Sequence, residues 1–172
     1  SFTPITFITN EIIVMSLNAD GSVKWSNVIA KEQKASFTTM SIGVYGFAGD
    51  SQLTVGVGVF VPLAVLGKGP EYLGAMPIYE KGQLTVVFND NEKNMGVTDI
   101  EEIKSLGNYN KAIPTAFVFN MENGDINRID PEELIKDQLI LRPGVFLRKT
   151  PSEYIIYSSR KSEDKLGRMI ID

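Results

Sequence analysis

The run Asn89-Asp90-Asn91-Glu92-Lys93-Asn94 is the densest group of side chains able to do chemistry, and it follows the apolar stretch Gln83-Leu84-Thr85-Val86-Val87-Phe88. Short amide and carboxylate groups delivered to a strand end can bond hydroxyls, peptide groups or a calcium ion through their oxygens. Asn89, Asp90, Asn91 and Asn94 are therefore the candidate binding residues, with a protein or a glycan as the expected partner. The same residue types also close turns on their own backbone without a ligand, and that alternative stands beside the first. The spacing does not fit an EF-hand loop, because no glycine follows at the required position. A second stretch, Asn18-Ala19-Asp20-Gly21-Ser22, begins like a calcium loop, but Lys24 and Trp25 replace the next ligands. It reads as a hairpin turn. Neither a metal nor a cofactor is expected.

Residue types that are missing narrow the chemistry further. The 172 residues include no His and no Cys, which excludes a Ser-His-Asp triad, a thiol nucleophile, an ordinary zinc site and any disulfide within the chain. No P-loop, dinucleotide fingerprint or nucleophile elbow is present. The glycine-rich pieces Gly43-Val44-Tyr45-Gly46 and Gly56-Val57-Gly58 open no helix, as phosphate binding would require. Paired carboxylates are the enzymatic alternative, since two of them suffice for a glycosidase or lyase. Asp90, Glu92, Asp125 and Glu153 are the candidates, although sequence alone cannot bring any two together. Trp25, the only tryptophan, could stack on a sugar, but its alternation with Val23 favours a core position.

The net charge is −4. Residues 80–138 carry 12 acidic and 6 basic side chains, against 4 acidic and 7 basic over 139–172. With an acidic balance overall and no recognisable module, nucleic acid is not an expected partner. The basic end reads as a solvated sheet edge. The longest apolar run, Leu53 to Leu66, holds 14 residues and contains Gly56, Gly58 and Pro62. It is shorter than the roughly 20 residues of a membrane helix, so no helical span is expected. Ser1 opens the chain without the regions of a secretory signal, and the chain reads as one domain that has been trimmed or cut from a larger protein.

The elements that must position these residues are short strands. Ile12 to Leu17 and Ser22 to Ile29 flank Asp20-Gly21, and Thr115 to Asn120 and Asp125 to Ile129 flank Asn123-Gly124. Tyr154 to Ser159 and Leu166 to Ile171 flank a charged turn. β-branched and aromatic residues with Gly turns specify antiparallel hairpins. Val55, Val57, Val59 and Val61 alternate along a further strand, expected in the core with glycine on its other face. Two short helices are expected: Ile100 to Leu106 after a Thr98 or Asp99 cap, and Pro131 to Ile135 after Asp130.

The hairpins look like blades of a β-propeller. Their order, with Trp25, Phe88-Asn89-Asp90-Asn91, Leu141-Arg142-Pro143 and the Leu166-Gly167 hairpin, resembles the C-terminal part of large exported proteins of Gram-negative bacteria. Ala48 to Pro77 departs from that pattern, being longer and more apolar. The resemblance implies a propeller-like sheet fold and a place outside the cytoplasm, in the periplasm or at the cell surface, but no activity. At about 40–50 residues per repeat only three or four blades would fit, so an open array, a fragment of a larger ring, a sandwich or a barrel are alternatives. The expected fold is mainly antiparallel β with two short helices. The expected function is that of a non-enzymatic exported scaffold or a domain that binds protein or glycan.

Overall fold

The computed structural model describes residues 2–49, 54–66, 69–134, 138–160 and 163–171. The chain is mainly antiparallel β, in strands β1 (Phe2–Thr9), β2 (Ile12–Leu17), β3 (Val23–Ile29), β4 (Gln33–Gly49), β5 (Thr54–Leu66), β6 (Met76–Glu80), β7 (Gln83–Asn91), β8 (Ala112–Phe119), β9 (Ile126–Ile129), β10 (Phe146–Arg148), β11 (Glu153–Arg160) and β12 (Glu163–Ile170). They form a four-stranded meander β6-β7-β8-β9, three-stranded sheets β1-β4-β5 and β10-β11-β12, and the hairpin β2-β3. Among the described residues no sheet closes into a barrel or a ring of blades.

The three hairpins read from the turn chemistry are present as β2-β3, β8-β9 and β11-β12. Gly21 and Gly124 hold φ of 85° and 82°, the left-handed region that an L side chain resists. Asp20 closes the first turn by accepting from the backbone N–H and hydroxyl of Ser22, and these bonds hold its carboxyl below the ordinary value.

The meander is the middle layer. On one side Trp25 and Ile29 of the β2-β3 hairpin pack with Val86, Phe88, Phe117 and Phe119. Trp25 stacks on Phe119 at 5.9 Å and donates its indole N–H to the Met121 carbonyl, so it is a core residue, whereas Val23, read on the same face, is exposed at the strand end beside a register shift. On the other side Met76, Ile78 and Val87 pack with Leu141, Tyr154 and Ile156. β7 is thus covered on both faces, and Thr85 through Asp90 are buried without a break. An apolar run suits that position; the polar residues that end it must find partners inside the protein.

Two expectations fail. No helix forms over Ile100 to Leu106. Asp99 makes one turn by accepting from Glu101 and Glu102; beyond it the backbone is taken up by tertiary partners. The Lys104 N–H and carbonyl bond the Asn94 side chain, the Ser105 carbonyl bonds Asn91, and Leu106 exchanges bonds with Glu32 and Lys34 beside β4. Those groups would otherwise serve an i to i+4 ladder, so tertiary bonding overrides a weak local propensity. The second helix is likewise absent over residues 131–134, and Ile135 lies outside the described residues.

The valine strand is the other correction. Val57, Val59 and Val61 are 68%, 60% and 49% exposed, so they do not line a core; Val55 lies in β5, with no burial described. The reason is that no described layer packs on this part of the sheet. β1 covers β4 only from Gln33 to Met40, and beyond that β4 pairs with β5 alone up to Gly49↔Thr54. The far part of β4-β5 is a two-stranded ribbon with no layer described on either face.

Candidate functional site

The candidate residues sit where β7 leaves the core, and the structure brings all four together. Asn89, Asp90 and Asn94 are 0–1% exposed. Asn89 donates to the carbonyls of Tyr72 (3.0 Å) and Leu141 (2.8 Å) and accepts from the Leu141 N–H at 2.8 Å. Its own carbonyl accepts from Gln33 at 2.7 Å, whose side-chain oxygen takes Thr9 and the Gly74 N–H. Asn91 accepts from the Lys93 N–H, capping the short 3-10 turn Glu92–Asn94, and donates to the Ser105 carbonyl. Asn94 clamps Lys104 and donates to Asp90 at 2.7 Å. The polar run therefore bonds the protein: Asn89 ties the 70–72 and 139–141 segments to β7, while Asn91 and Asn94 hold the 97–106 loop. A ligand would have to displace these bonds to reach the three buried side chains.

Asp90 belongs to an ion network that sequence reasoning missed. Arg128 of β9, with 3% of its side chain exposed, donates from Nη2 to Asp90 at 2.8 Å and from Nε to both oxygens of Asp130. Its remaining arm donates to the Val97 carbonyl, and its guanidinium lies 5.3 Å from the Phe117 ring centroid. Asp130 also accepts from Thr115 and the Gly96 N–H. Burial pushes the Asp90 carboxyl up, against the bonds from Asn94 and Arg128. Burial acts on Asp130 in the same sense, yet Arg128, Gly96 and Thr115 together hold it below the ordinary value. Burial also disfavours the Arg128 charge, but the two carboxylates outweigh that and hold its guanidinium above the usual value. The only hint in sequence was an acidic residue at the end of an apolar strand, which needs a cation if buried. Nothing in the spacing named Arg128.

The candidate carboxylates each have their own partner. Asp90 has Arg128, Glu92 is 3.6 Å from Lys111, Asp125 accepts from Asn123, and Glu153 bonds Lys149 and Arg168. Asp90 and Asp130 do share a site, but a guanidinium bridges them, so they do not form an open acid and base pair. Among the described residues no group of His, Cys, Asp or Glu is arranged to hold a metal ion.

Lys31 is buried beside this region, 2% exposed. Its ammonium donates to the Thr9 hydroxyl at 2.8 Å and toward the Thr9 and Asn10 carbonyls. Burial pulls its pKa down to about 8 against the opposing charges of Asp90 and Glu11. Between about 8 and the ordinary 10.5 the unfolded chain binds more protons here than the folded one, so stability rises with pH across that window. The expected gain is about 1–2 kcal/mol after allowance for solvent screening. Urea titrations of wild type and Lys31→Met at several pH values measure it. The difference between the two proteins should change with pH between 8 and 10.5; parallel profiles contradict it.

Comparison with protein families, curated proteins and solved structures finds no match to this chain.

Proposed function

We propose that this chain is a non-catalytic assembly module that docks on protein through the β4-β5 ribbon, within an exported scaffold. The observation that carries the proposal is the surface of that ribbon. Ser36 to Gly49 and Thr54 to Leu66 contain no charged residue. The register places Ile42↔Val61, Val44↔Val59 and Gly46↔Val57 across the two strands, and opposed residues share a face. Ile42, Val44, Val57, Val59 and Val61 are each about half exposed or more. On the other face Tyr45, 55% exposed, lies across Gly58, its ring atoms 2.6 and 2.8 Å from where a Cβ would stand. A two-stranded ribbon is marginal in water on its own. Contiguous exposed apolar surface of this kind marks interaction sites.

Protein is favoured over lipid by the backbone. A ribbon with an open edge would leave amide and carbonyl groups unpaired in hydrocarbon. Among the described residues no helix is long and apolar enough to cross a membrane. The four-stranded meander is compatible with a propeller-type blade, and the working place proposed for the module is extracytoplasmic, which fractionation of the source cells tests.

Lysine at both Val44 and Val57 tests the docking role. Both side chains are exposed, so stability should change by no more than about 0.5 kcal/mol. The complex recovered from native extracts, sized by gel filtration, should shrink to the free chain. An unchanged complex from a folded variant would refute docking through this ribbon.

A further inference from the structure

β5 is an outer strand: its sheet has the order β1-β4-β5, and nothing described pairs with its far side. Natural edge strands are kept short, charged, bulged or interrupted by proline so that they do not pair with other chains. β5 runs for 13 residues without a charge. Its one proline, Pro62, lies near the base of the ribbon, at the register shift between Met40 and Ser41. The ribbon beyond it has no such protection.

Its sequence there is also self-complementary. Val57-Gly58-Val59-Phe60-Val61 reads, about Val59, as valine against valine and glycine against phenylalanine. An antiparallel partner centred on Val59 would set Val57 opposite Val61, Val59 opposite Val59 and Gly58 opposite Phe60. The intramolecular ladder already uses the same pairings. Val59 faces Val44, Gly58 faces Tyr45 and Phe60 faces Gly43. At Gly58 the Tyr45 ring covers the gap that the missing side chain leaves.

Size separates this arrangement from flat docking. Nine residues of strand span about 30 Å, and two strands are about 10 Å wide, so one ribbon face offers roughly 300 Å². A stable interface needs about 800 Å² per partner. Edge pairing does not rest on face area alone, because it fills the backbone hydrogen bonds of the open strand and doubles the width of both faces.

We infer that the occupant of this edge is a second copy of the chain, the two β5 strands pairing antiparallel about a two-fold axis at Val59 to give one continuous six-stranded sheet. The inference rests on the docking role proposed above and names its partner.

Val59 is the decisive position because the axis sets it against itself. Val59→Lys places two ammonium groups opposite each other, and Val59→Glu places two carboxylates. Sedimentation velocity on the full chain should show a dimer for wild type and for the neutral control Val59→Thr. Dimerisation should weaken at least about tenfold, or 1.4 kcal/mol, in either charged variant alone. Mixing the Lys and Glu variants should restore the dimer. Circular dichroism of each variant, matching wild type, shows that the fold persists. A monomeric wild type at its highest soluble concentration, a charged variant that dimerises normally, or a mixture that stays monomeric would each overturn the inference. If the chain is monomeric while Val44→Lys with Val57→Lys still disrupts a native complex, the docking role survives and only its assignment to a second copy fails.

Discussion

Arg128→Ala should unfold the protein under mild conditions or lower its stability by about 3–5 kcal/mol, the range for removing one partner of a buried ion network. The substitution leaves Asp90 and Asp130, 1% and 12% exposed, facing each other without their shared guanidinium. It also strips the Val97 carbonyl of its donor. Both carboxyls would then have raised pKa values in the folded state. The folded variant would bind more protons than the unfolded chain above about pH 4. Its stability should therefore fall as pH rises from there toward neutrality and recover as pH is lowered. Arg128→Lys should rescue little, because an ammonium cannot reproduce the fork that reaches Asp90, Asp130 and Val97 together. Urea denaturation across pH measures all three proteins. A wild-type midpoint for Arg128→Ala would show that the network contributes nothing.

The second large effect is expected at Asn89. Alanine there removes three bonds and leaves two carbonyls and one N–H of Tyr72 and Leu141 without partners in the interior. At about 1–3 kcal/mol for each unsatisfied buried group, partly recovered by relaxation, the loss should be about 3–5 kcal/mol. Asn89→Asp should be as damaging near neutrality, since a carboxylate would point at the same two carbonyls that the amide now donates to. It should improve in acid as the new carboxyl protonates. The test is thermal or urea unfolding of the two variants beside wild type. Wild-type stability combined with loss of a bound glycan or peptide would mark Asn89 as a binding residue instead.

Much of the layout was legible in sequence because local chemistry and the observed fold agree there. Asp20-Gly21 and Asn123-Gly124 demand left-handed turns, and the hairpins around them form. Trp25 reaches the core, although Val23, read on the same face, is exposed. The polar run at Asn89 to Asn94 was legible as a cluster, but its partners were not, since Gln33, Leu141, Lys104 and Arg128 come from distant parts of the chain. The same non-local bonds explain the missing helix at Ile100 to Leu106, whose backbone is held by Asn91, Asn94 and the β4 region. The valine strand failed for a related reason. Alternation specifies that a residue has a face, but only the neighbouring layers decide whether that face is covered. At Val57 and Val59 no described layer covers it.

The claim that the β4-β5 ribbon meets protein is tested most directly by a photoreactive phenylalanine analogue placed at position 44 or 57 in the source cells. Lys81, in the turn between β6 and β7, is the control position. After irradiation, both ribbon positions should give adducts with protein, identified by mass spectrometry, and the control should not. Ribbon positions that yield no protein adduct, or adducts with lipid alone, would contradict the proposed function.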